Sequence, residues 1–384
     1  MIDLTFTPEQ EELIRTLRAF ARKELAPRYA HWDRTGVFPR EVWRQMGELG
    51  LLGLRIPAEY GGQETDLLTV GLAMEEVARG DVNCSYGIMG AALAGDLLSR
   101  LGREEVRTRW LPPMSTGEAV VALALTEPGV GSDAQNLACR AVRDGEQYVV
   151  TGEKSGISFG MVAQAGIVFC TTDPTKKAAG VTTLLVPLDL AGVNRSPLRD
   201  LGSRGIGRAI LSFDHVRVPA SHRLGEEGTG FYELMKGFDF NRVFIALACL
   251  GAAQVSLEET MAYVKERKAF GRALAAFEGV SFPIAEAATH IEAARWLCYR
   301  ALWLADRGQP HTKESAMVKW WAPKLAVETI HQCLLFHGHY GYTEDLPFEQ
   351  RLRDVIGLEI GDGTAEVMKI IVARALMGRE SLPY

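Results

Sequence analysis

Val120-Val121-Ala122-Leu123-Ala124-Leu125-Thr126-Glu127-Pro128-Gly129-Val130-Gly131-Ser132-Asp133 is where the chain changes texture. Six apolar residues, too few for a helix and closed by a Pro-Gly turn, read as a buried strand. Pro112-Pro113 and Gly117 end the upstream region, which is helical in period. Beyond the turn the chain stays extended, with segments at 141–150, 167–172, 181–186 and 210–218. Asp144-Gly145, inside the first of them, is a hairpin signal. No stretch between these segments is long enough for the helices of βαβ units, so a parallel nucleotide-binding sheet is not expected.

Upstream, Thr7 and Gln10 have capping-box spacing, Pro8 takes the first helical position, and Leu13, Ile14, Leu17, Phe20 and Ala21 share a face. Val70, Ala73, Met74 and Val77 repeat that period, and 96–110 reads as another helix. Downstream of Gly230 the helical period returns, with expected helices at 233–271, 278–307, 312–337 and 364–377, the third kinked at Pro323. The fold class is mainly α with a central β-domain. An N-terminal helical domain takes 1–118, a β-barrel-like middle domain 119–225, and a C-terminal four-helix bundle 226–384.

The 384 residues carry a net charge of −6, with 47% hydrophobic and 23% charged residues. That is an ordinary globular composition without a basic footprint, so neither nucleic acid nor an anionic membrane surface is an expected partner. Six cysteines without a C-x-x-C motif fit buried thiols rather than disulfides or a metal site. Residues 1–4 lack an apolar signal core, and no stretch reads as a membrane span, which points to the cytoplasm.

Two loops and one carboxylate carry candidate chemistry. Thr126, Gly131 and Ser132 could turn hydroxyls and backbone N–H groups toward a flat or phosphorylated ligand, or could form a plain turn. Arg267-Lys268-Ala269-Phe270-Gly271 could bind phosphate, or its cations could complement a helix dipole. In Ile360-Gly361-Asp362-Gly363-Thr364, Asp362 stands between two glycines before an apolar helix that Thr364 can cap. Such a carboxylate can face a cleft as a general base, or can be a turn residue.

Taken together, the order of Thr126 to Asp133, Val216-Arg-Val-Pro219, Leu224-Gly-Glu-Glu-Gly-Thr-Gly-Phe231, Glu266-Arg-Lys-Ala-Phe-Gly271, His337-Gly-His-Tyr-Gly-Tyr-Thr343 and Asp362-Gly-Thr-Ala-Glu366 resembles the acyl-CoA dehydrogenase family along essentially the whole chain. The resemblance implies a homotetramer with one FAD per subunit, an acyl-CoA substrate, and electron-transfer flavoprotein as electron acceptor. It places Leu125, Thr126, Gly131, Ser132 and Ser158 on the flavin, and Arg267 and Phe270 on the FAD of a neighbouring subunit. Thr364 and Glu366 fall by the diphosphate, and Ser132, Asp239, Arg242, Gly361 and Gly363 by the acyl-CoA. Asp362 falls where most members carry the catalytic glutamate, with no metal involved.

Some members place the base just before the arginine matched by Arg242, but that residue here is Asn241, which cannot take a proton at neutral pH. Gly361 and Gly156 replace two large rings, and Leu335, Glu278 and His339 depart from the pattern at the adenosine end. A shortened base and two missing rings lead to the expectation of a cyclic or α-branched acyl group, as in cyclohexane-1-carboxyl-CoA and the related enzymes of alicyclic acid degradation. The alternatives are 1,4-dehydrogenation of cyclohex-1-ene-1-carboxyl-CoA with Asp96 as a second carboxylate, a short straight or branched acyl-CoA, and a flavin-free scaffold.

Overall fold

The computed structural model describes residues 5–378 and 380, so the reading of residues 1–4 lies outside the described residues. Among the described residues six α-helices precede the first strand: α1 (Pro8–Phe20), α2 (Tyr29–Thr35), α3 (Arg40–Glu48), α4 (Leu67–Ala78), α5 (Val82–Leu101) and α6 (Glu104–Ser115). Both halves of the capping box at α1 form, with Gln10 N donating to Thr7 Oγ1 and Thr7 N to Gln10 Oε1. The single helix expected over 96–110 is two helices. Gly102 is extended between them, and a Cβ there would stand 2.5 Å from the Leu98 carbonyl oxygen, so the close approach needs glycine.

The middle of the chain forms β1 (Val121–Ala124), β2 (Arg140–Asp144), β3 (Gln147–Ile157), β4 (Ala165–Thr171), β5 (Val181–Pro187), β6 (Val193–Pro197), β7 (Ala209–Pro219) and β8 (Arg223–Leu224). The order β6-β7-β3-β2-β4-β5-β8, with β1 beside β4, is mainly antiparallel; only β1 and β2 run parallel to β4. In the β2–β3 hairpin Asp144 pairs with Gln147, and Gly145 takes the left-handed position of a two-residue turn. β4 and β5 are buried along their full length, which explains their unbroken apolar runs.

The last part contains α7 (Gly230–Glu266), a short hairpin of β9 (Lys268–Ala269) and β10 (Arg272–Ala273), then α8 (Glu278–Asp306), α9 (Thr312–Phe336), α10 (Phe348–Ile356) and α11 (Ala365–Met377). α7 stops at Glu266 rather than running to 271, because Arg267 turns extended, and Phe270 and Gly271, both with positive φ, then turn the β9–β10 hairpin. α10 was not expected; it is one short amphipathic stretch between turns. α9 runs continuously through the buried Pro323.

Contrary to the sequence reading, α7 has the length and apolar composition to cross a bilayer, but its most apolar window is 89% buried. α4, α5, α8 and α9 pack around it, so it is apolar on every side because it is the bundle's central helix. Glu75 of α4 accepts from Arg295 Nε at 2.7 Å and Tyr299 Oη at 2.6 Å on α8, and Asp306 accepts from Leu67 N at 2.7 Å. These bonds dock the N-terminal helices on the bundle. All six cysteines are buried and free.

Candidate active site

Asp362 lies just after the turn Gly357–Glu359 and three residues before α11, with φ of +54°, a conformation an aspartate tolerates better than most residues. Asn241 of α7 donates its side-chain amide to Asp362 Oδ2, and Arg242 Nε donates to the Asp362 carbonyl at 3.3 Å. Behind the loop, Lys319 of α9 donates to the carbonyls of Leu358 at 2.8 Å and Gly363 at 3.1 Å. Burial pushes the Asp362 carboxyl above its ordinary range, while the Asn241 hydrogen bond and the charges of Lys319 and Arg242 pull the other way. Tyr86 of α5 is part of the same surroundings: burial first, then the charge of Asp362, raises its phenol.

Asp239 and Arg242 are brought together with the Asp362 loop. Arg242 Nη1 meets Asp239 Oδ1 at 2.9 Å, and the other Asp239 oxygen accepts from Thr312 Oγ1. Thr364 caps α11, accepting from Val367 N, and Glu366 stands exposed in its first turn, where hydrogen bonds hold its carboxyl below the usual value. Gly363 has φ of +103°, which favours glycine.

The loop after β1 is fixed from beneath by a buried ion pair that sequence reading did not single out. Lys154 Nζ reaches Glu127 Oε1 at 2.7 Å and the Leu125 carbonyl at 2.9 Å, while Glu127 also accepts from the backbone N–H groups of Ala138 and Cys139. Ser155 N donates to the Thr126 carbonyl at 2.8 Å, which ties the loop to β3. Above this anchor Thr126 and Ser132 are exposed, and their hydroxyls have no partner among the described residues. Nothing lies within 4 Å of where a Cβ would stand on Gly129 or Gly131. Ser158 is half-buried two residues past Gly156.

The two expected openings differ. Gly361 is open, since its nearest neighbour to an added Cβ is Gly357 O at 3.8 Å. Gly156 is not: it has φ of +71°, Arg208 Nη2 lies 2.9 Å from its Cβ position, and Arg208 is held by Asp200 at 3.0 Å. A guanidinium, absent from the sequence reading, stands where a side chain on residue 156 would begin. Asp96 is likewise committed, to Arg100 at 2.9 Å, and Arg100 bridges to Glu233 on α7. Asp96, only an alternative second carboxylate in the sequence reading, is here an ion-paired helix residue.

Arg267 and Phe270 are not brought to Asp362 within one chain. Arg267 caps the far end of α7, 25 residues from Arg242 and so about 37 Å along the helix. Phe270, at the hairpin tip, is 97% exposed. Glu278, Leu335 and His339 are also on the surface.

Residues 7–118, 122–216 and 228–377 match, in turn, the N-terminal, middle and C-terminal domains of acyl-CoA dehydrogenase. Over 374 residues the chain is 36% identical to the mitochondrial short-chain specific acyl-CoA dehydrogenase of Rattus norvegicus, spanning 96% of this chain and 90% of that protein. Butyryl-CoA dehydrogenase from Megasphaera elsdenii superposes with a TM-score of 0.94 at 31% identity, covering 98% of this chain and 100% of the other. A structure reported for the electron transferring flavoprotein of Acidaminococcus fermentans gives a TM-score of 0.95 at 33% identity, over 98% and 100%. The chain belongs to the acyl-CoA dehydrogenase family. It is an FAD-dependent oxidoreductase acting on the CH–CH bond of an acyl-CoA.

The residues present fit FAD. The hydroxyls of Thr126 and Ser132, without partners among the described residues, flank glycines with open space above them, and the start of α11, capped by Thr364, presents the positive end of its dipole to an anion. Bound FAD supplies a hydride acceptor, which no side chain provides.

Proposed function

We propose that Asp362 takes the α-proton of an acyl-CoA thioester whose acyl group is cyclic or branched at Cα, with cyclohexane-1-carboxyl-CoA as representative. Bound FAD would supply the acceptor for the β-hydride, and the electrons of the Cα–H bond would then form the new double bond. The observation that carries this reading is a carboxylate raised by burial and steered by Asn241, standing beside the open space over Gly361. The Asp362 backbone N–H donates to no group among the described residues, so it is free to meet the thioester oxygen as negative charge develops there. Asp239 and Arg242 hold the loop that carries both groups.

A straight short chain is the second reading, supported by the similarity to short-chain relatives. Rotated in the same open space, such a substrate could reach the shorter aspartate. Anaerobic flavin bleaching with cyclohexanecarboxyl-CoA, butyryl-CoA and an α-branched thioester separates the two: faster bleaching by the cyclic or branched substrates supports the first, and preference for butyryl-CoA supports the second.

The working unit is a homotetramer in the cytoplasm, with electron-transfer flavoprotein as oxidant. Support for the assembly comes from α11, where only Met368 is buried and Leu376 and Met377 are exposed, and from the distance of Arg267 and Phe270 from their own Asp362. Arg267→Ala should weaken flavin retention and the oligomer together, read by absorbance and by size-exclusion chromatography. Unchanged flavin content and assembly would oppose it.

A further inference from the structure

Lys319 is 0% exposed in the middle of α9, with its Nζ on two backbone carbonyls and no carboxylate in hydrogen-bond contact. Leaving an ammonium in such a place is costly unless its charge has a use or a counter-charge. The two carbonyls belong to Leu358 and Gly363, which bracket the base on both sides. The charged and titratable groups around it come from several elements: Asp362 and Glu359 on the loop, and Arg242 and Cys249 on α7. The charge of Asp362 also raises the phenol of Tyr86 on α5, which Arg208 acts on in the opposite sense. Among these, Asp362 exerts the largest pull on Lys319.

We propose that Lys319 is a positioning residue for the base, pinning the loop on both sides of Asp362 and setting a fixed positive charge behind the carboxylate. The inference rests on Asp362 being the base. Two hydrogen bonds close residues 358–363 into a loop clamped from one point, so a carboxylate one methylene shorter than glutamate starts from a fixed backbone. The charge acts on proton affinity: burial raises the Asp362 carboxyl, and Lys319 moderates that rise. A neutral donor in place of the ammonium would leave burial less opposed, and Asp362 would hold its proton to higher pH.

The test uses the FAD-loaded enzyme with Lys319→Gln, which keeps a donor but loses the charge, and Lys319→Arg, which keeps the charge. The rate of anaerobic flavin bleaching is measured against pH. For Lys319→Gln the half-maximal pH is expected to rise by about one unit, within the range an opposite charge imposes. For Lys319→Arg it is expected to stay near wild type even if the rate falls. A lower melting temperature with an unmoved pH profile in Lys319→Gln would reduce Lys319 to a structural residue and overturn the proposal.

If Lys319→Gln is too poor in flavin to assay, melting temperatures of Lys319→Gln, Asp362→Asn and the double variant take its place. Non-additive losses support the pairing, and strict additivity overturns it. A wild type that no acyl-CoA bleaches at any pH would instead overturn the reading of Asp362, so the two failures are distinguishable.

Discussion

The side-chain amide of Asn241 donates to the carboxylate of Asp362 across 121 positions of sequence. Asn241, at the position where the family resemblance offers an alternative base, is here the hydrogen-bond partner of the carboxylate proposed as base. A donor to the charged form favours ionisation, opposing the burial that raises this carboxyl. Asn241→Leu removes the donor at similar size. The pH at which bleaching is half-maximal should then rise by about one unit, and the rate near neutral pH should fall accordingly. A pH profile identical to wild type would mean that the contact does not tune the base.

The Lys154–Glu127 pair predicts a stability effect away from the base. Lys154→Met leaves Glu127 buried with two backbone N–H donors but no counter-charge. Breaking such a pair costs about 3–5 kcal/mol. Denaturant unfolding should show that loss, and flavin content should drop because the Thr126–Ser132 loop loses its anchor. Wild-type stability would place the strength of this loop elsewhere.

Asp354 of α10 accepts from Ser203 N and from the Asn83 side chain, and burial pushes its carboxyl up to about 7. Unfolded, the same group titrates near 3.8. The folded state therefore holds the proton more tightly, and this contribution to stability is complete below about pH 4 and lost as pH rises through 7. Asp354→Asn removes the titration. Its melting temperature relative to wild type should improve between pH 5 and pH 8, and a constant difference across that range would contradict the sign.

Gly361 and Asp362 should act together on substrate shape. Gly361 has an ordinary φ and open space, so Gly361→Tyr is tolerated by the backbone while crowding a ring at Cα by about 1–3 kcal/mol. kcat/KM for cyclohexanecarboxyl-CoA should fall more than for butyryl-CoA. Adding Asp362→Glu should move the ratio further toward butyryl-CoA, and by a non-additive amount. An unchanged ratio in the double variant would show that these positions do not set shape.

Much of this was legible because local pattern and tertiary role agree. Thr7 and Thr364 cap the helices their spacing announces, and the apolar runs of β1, β4 and β5 are buried strands. The misses have physical causes. α7 buries its apolar length behind four neighbours, and it ends early where Arg267 turns extended, a backbone change that no period reveals.

At the site, the glycines and the helix start left Asp362 open between a base and a turn residue, the family resemblance singled it out, and its surroundings were not legible. Lys319 and Lys154 each carry a charge at a position whose period is otherwise buried, Ala316 and Ala322 in α9 and Tyr148 and Val150 in β3. That mismatch is the signal that could have found them. Arg208 offered none, since only the fold brings it against Gly156.

The central claim is that Asp362 takes the proton, and anaerobic flavin bleaching by substrate tests it most directly. Asp362→Asn preserves shape and can still meet Asn241 through its remaining oxygen, but it cannot accept a proton. The variant should retain FAD and bind acyl-CoA while bleaching falls by several orders of magnitude, as for a group that acts in the transition state. Bleaching at the wild-type rate in flavin-loaded Asp362→Asn would contradict the account.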